Sequence, residues 1–107
     1  MNYIESLQDA IRRMHGCASV HVRSEPVTEA HKGKTVWQGV VEVFDLQGHP
    51  TAKRCYAWSH AEGRGDKGTR FVAVLEIPPV DSAQAAVRAA IVQEYRSAAH
   101  VRKPERR

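Results

Sequence analysis

The run Gly63-Arg64-Gly65-Asp66-Lys67-Gly68 leads directly into Thr69-Arg70-Phe71-Val72-Ala73-Val74-Leu75-Glu76-Ile77. Its first six residues fit the G-x-G-x-x-G pattern letter for letter. That pattern holds a pyrophosphate when a strand enters it and a helix leaves it, because the helix N-terminus supplies the amides and the favourable end of the dipole. The segment Thr69 to Ile77 instead has the period-two alternation and the β-branched and aromatic content of a strand. The glycines therefore join two strands, and a dinucleotide fold is excluded. Arg64 and Lys67 leave one weaker use for the loop, a nest of backbone amides that holds an anion without a helix. Beside it stands a plain hairpin loop with no ligand.

Reading backwards from the loop, Thr51 to His60 is the strand that enters it, Gln47-Gly48-His49-Pro50 is a turn, and Thr35 to Leu46 is the strand before that. Ser24 to Lys34 is polar, contains Pro26 and Gly33, and is expected to be a loop. Ala18, Val20 and Val22 mark a short strand. Ahead of it, Ile4, Leu7, Ala10, Ile11 and Met14 follow helical spacing. Asn2 and Glu5 stand in capping-box positions, and Gly16 suits the left-handed C-cap. Reading forwards, Pro78-Pro79 stops the last strand. A second helix is expected from Asp81, with Gln84 in capping-box position and Ala83, Val87, Ala90, Ile91 and Ala98 on its apolar face.

The order α-β-β-β-β-α predicts an α+β fold, a two-layer sandwich of a four-stranded antiparallel sheet with both helices on one face. Residues 1–100 form a single domain, and 101–107 form a basic disordered tail. The order resembles the double-stranded RNA-binding domain in topology alone. That family has three strands and a basic start to its second helix. This chain has a fourth strand and begins that helix Asp81-Ser82-Ala83-Gln84, so none of the family's function is carried over.

Strand parity sorts the side chains. Phe71, Leu75, Ile77, Cys55, Ala57, Val41 and Val43 are expected under the helices. Val36, Val40, Phe44, Tyr56, Trp58, Val72 and Val74 are left on the far face, with Arg54 and Arg70 at its rim. Unless a bulge slips the alternation or Ser24 to Lys34 folds over this face, an uncovered apolar patch of that size marks an interface or a ligand site. The expected function is a non-enzymatic binding or scaffold domain that self-associates through this face as a homodimer. The first alternative is weak nucleic-acid binding, with Tyr56 and Trp58 stacking bases and the basic residues meeting phosphates. The second is a small-ligand binder or enzyme near the glycine loop, His60 and His49.

Charge weighs against a dedicated nucleic-acid protein. Residues 102–107 carry four basic groups and one acidic group, while the rest carry 12 basic and 11 acidic, so most of the net +4 sits on the terminus. Cys17-x3-His21 and Cys55-x4-His60 do not converge in extended chain, so no metal and no cofactor is expected. Ser59-His60 and Asp45-x3-His49 show no orienting third group, and no catalytic residue is assigned. The two cysteines form no disulfide framework. No apolar run approaches the length of a membrane span, and the N-terminus lacks the pattern of a signal peptide. A cytoplasmic protein with no membrane partner is expected.

Overall fold

The computed structural model describes residues 2–61 and 68–102, with side chains outside 61–67 and 95–107. Helix α1 (Tyr3–His15) is followed by β1 (Ala18–His31), β2 (Lys34–Gln47), β3 (Arg54–Ala61), β4 (Thr69–Leu75) and helix α2 (Ala83–Arg102). The strands form one antiparallel sheet in the order β1-β2-β3-β4. The α+β class, the element order and the sheet are those the sequence predicts.

Local chemistry sets the ends of α1 as expected. The Glu5 N–H donates to Asn2 Oδ1 at 2.8 Å and the Asn2 N–H to Glu5 Oε1 at 3.1 Å, a complete capping box. Gly16 closes the helix at φ 74°, where a Cβ would be strained. In α2 the cap differs from expectation. Ser82, not Asp81, receives the first turn, with the Ala85 N–H donating to its Oγ at 3.1 Å. Helix α2 runs to Arg102, so Val101 and Arg102 leave the proposed tail; residues 103–107 lie outside the described residues.

The expected loop from Ser24 to Lys34 is instead strand. It completes a 14-residue β1, which turns through Lys32 (φ 53°) and Gly33 (φ 79°) into β2. Two positive φ angles make the tight primed turn that suits strand twist. Charged and hydroxyl residues disguise the alternation, since Val27 is the one buried residue of the stretch. Pro26 is tolerated because β1 is the outermost strand.

The helices do not share a face. Leu7 and Ile11 of α1 pack with Phe44, Cys55 and Ala57, flanked by Phe71, Ala73 and Leu75. Ala83, Ala86 and Val87 of α2 pack with Val27, Val41, Val43, Tyr56 and Trp58, flanked by Trp37, Val72 and Val74. Neighbours on β3 such as Cys55 and Tyr56 point oppositely, so the sheet lies between α1 and α2 in three layers rather than two. Both faces of β3 and β4 carry apolar side chains, and each face takes one helix. The β2–β3 register decides which residues of β2 join each face. Val43 pairs with Tyr56 and Phe44 with Cys55, which joins odd positions on β2 to even ones on β3. Parity read strand by strand from the sequence joins odd to odd. Val41 and Val43 therefore lie beneath α2, and Phe44 lies beneath α1. Ile77, expected under the helices, is exposed.

Candidate functional site

Beyond the Glu42–Ala57 pair, β2 and β3 have no further ladder pairs among the described residues. Where they part, Trp37 of β2 reaches Trp58 of β3, with ring centroids 5.6 Å apart and planes at 67°. This edge-on contact suits the ring quadrupoles. Gly39 makes room for it: a Cβ there would stand 2.9 Å from Trp37 Cη2, so the indole lies over bare backbone.

Helix α2 roofs the gap. Val87, Ala90 and Ile91 continue its buried stripe, and Glu94 follows at the same helical spacing. Together with Val72 and the two indoles they enclose a recess of about 250 Å³. His60 and Glu94 stand at its rim, His60 Nε2 lying 3.9 Å from Glu94 Oε2. That spacing is an ion-pair distance, longer than a hydrogen bond. The site is thus an aromatic and aliphatic recess with an acid and an imidazole at its mouth, the usual make-up of a small-molecule site.

The interface residues expected from the sequence are placed differently. Tyr56 and Trp58 are 2% and 3% exposed beneath α2, and Val72 and Val74 are half-buried beside them. The apolar face that motivated self-association is covered by the chain's own helix, and neither ring is available as a base-stacking platform. The Tyr56 hydroxyl donates to Glu76 at 2.6 Å, and its ionisation is pushed above the ordinary phenol range, first by burial and then by that bond. Phe44 belongs to the opposite core, while Val40 shares its face and is 49% exposed. Arg54 donates from Nε to Asp45 at 3.1 Å, at the far end of the sheet from Arg70, which pairs with His60 across β3 and β4. Arg64 and Lys67 lie outside the described residues.

The other candidates are accounted for locally. His49 Nδ1 accepts from the Thr51 and Ala52 N–H groups at 3.1 and 3.0 Å, which builds the turn. The Ser59 N–H donates to the Tyr3 hydroxyl at 3.1 Å. Cys17 and Cys55 are both buried and free. Among the described residues no group of three His, Cys, Asp or Glu could hold a metal. No helix among them is long and apolar enough to cross a membrane.

Sequence reasoning missed Trp37 and Glu94. The signals were present: a tryptophan two residues before a glycine in a strand, and a carboxylate continuing an apolar helical stripe. Comparison with known protein families, curated proteins and solved structures finds no match to this chain.

Proposed function

We propose that this chain is a non-enzymatic binding domain that holds a small ligand by a flat apolar group, between the two indoles and α2. The observation that supports it most is the convergence of both tryptophans of the chain on one recess. Indole walls bind planar groups by burial and ring contact, and the rim adds a carboxylate and an imidazole for orientation. Among the described residues the lining offers no hydroxyl or thiol nucleophile, which favours binding over chemistry. Two free thiols suit a reducing compartment, and the proposal includes a cytoplasmic location.

Because the chain has two tryptophans, its two indole N–H signals in a proton–nitrogen correlation spectrum both report on the cleft. Indole, benzimidazole and naphthalene derivatives should shift both signals saturably at up to millimolar concentration. Ala90→Leu, which fills the recess from the helix side, should abolish the shifts while preserving the helical signal. If no ring compound moves either indole signal, the proposal fails.

A further inference from the structure

The aromatic recess is one lobe of a longer groove. A second depression of about 280 Å³ shares Val72, Ala90 and Glu94 with it and adds Arg70, Gln93 and Ala89. Each lobe alone is smaller than the ~300 Å³ at which ligand sites usually begin; joined, they fall within that range.

The charges along the groove are ordered. Glu94 from α2 stands at the junction of the lobes. His60 of β3 is on the aromatic side, 3.9 Å from Glu94, and Arg70 of β4 lines the other lobe. His60 and Arg70 are cross-strand partners, so their side chains share a face of the sheet. An apolar chamber thus opens onto a rim lined by a carboxylate, a guanidinium and an imidazole. A ligand with a single charge matches one pole of that rim. A ligand with an ammonium and a carboxylate on adjacent atoms matches both, because Glu94 accepts from the ammonium and Arg70, with His60, donates to the carboxylate.

Resting on the ligand-binding proposal above, we infer that the ligand is a small zwitterion with an apolar ring, of the class of a free aromatic α-amino acid. Its side chain lies in the recess beneath α2, against the paired indoles, and its charged end lies across Glu94 and Arg70.

Four probes separate the rim from the chamber: L-phenylalanine, phenethylamine, 3-phenylpropanoate and ethylbenzene, each followed by the indole signals of Trp37 and Trp58. L-Phenylalanine should bind about tenfold or more tighter than either singly charged probe, the usual worth of one charge-assisted hydrogen bond. Glu94→Gln should remove its advantage over 3-phenylpropanoate, and Arg70→Gln its advantage over phenethylamine. Both residues are exposed, so an unchanged thermal midpoint checks that each variant is folded. If ethylbenzene or a singly charged probe binds as tightly as L-phenylalanine, the zwitterion is overturned while the cleft stands. If none of the four moves either indole, both proposals fall.

Discussion

Gly39 and Trp37 show how one absent side chain shapes the cleft. The Trp37 ring occupies the space a Cβ at Gly39 would need, with Cη2 at 2.9 Å and Cζ2 at 3.3 Å from it. The ring is the far end of a flexible side chain, so Gly39→Ala displaces the indole rather than the strand. The displacement forfeits the edge contact with Trp58, which is worth about 0.5–1.5 kcal/mol. Gly39→Ala should therefore lower the thermal midpoint by several degrees, weaken the near-ultraviolet signal of the paired indoles and reduce ring binding. An unchanged near-ultraviolet spectrum would show that the ring does not rest on the glycine. This pair is visible as a Trp-x-Gly spacing in a strand. Its partner Trp58 is not, because nothing local says that β2 and β3 part beside it.

Helix α2 is fastened to β1 by a carboxylate clasp. Gln84 Nε2 donates to Glu29 Oε1 and, at 2.9 Å, to the Thr28 carbonyl; Arg88 Nε donates to Glu29 Oε2 at 2.8 Å. The Gln84 bond, then the Arg88 bond, hold the Glu29 carboxyl below the ordinary carboxylate range, against the opposing effect of desolvation. A depressed pKa gives stabilisation that is present above the unfolded-state value and lost as pH falls through the folded-state value. Urea midpoints of the native chain and of Glu29→Gln should differ near neutral pH and converge as pH falls below the ordinary carboxylate range. A difference independent of pH would mean that the charge plays no part. The clasp is not legible in the sequence. Gln84 stands where a capping box would use it, and Glu29 falls in a stretch that reads as loop. The long-range pairing of β1 with β2 brings them together.

The three-layer arrangement buries both sides of β3, and Cys55 is the simplest probe of it. The thiol is fully buried beneath α1 and pushed up to about 12, first by desolvation and then by nearby Cys17. A raised thiol pKa favours the folded chain while the unfolded thiol stays protonated, and that advantage is lost as pH rises from about 9 towards 12. Stability should therefore fall over that alkaline window, and less steeply in Cys55→Ala once its lower baseline is allowed for. In a Cys17→Ser variant, iodoacetamide should modify the native chain at least about a hundredfold more slowly than the chain in urea, because reaction waits on opening of the core. Rapid native-state modification would contradict the close packing of α1 on the sheet.

Element order, the antiparallel sheet, the α1 caps and the rejection of a dinucleotide loop were all legible in the chain, because each depends on spacing within about a dozen neighbouring residues. The side of the sheet that each helix covers was not. Nor was the face that each β2 side chain joins, which turns on whether Val43 or Phe44 meets Tyr56, a shift of one residue in the β2–β3 register. Side chains alternate with period two, so that shift exchanges the faces of every apolar position on one strand relative to the other. The pairing spans residues distant from the local signals of either strand, and the recess between Trp37, Trp58 and α2 lies where that pairing ends.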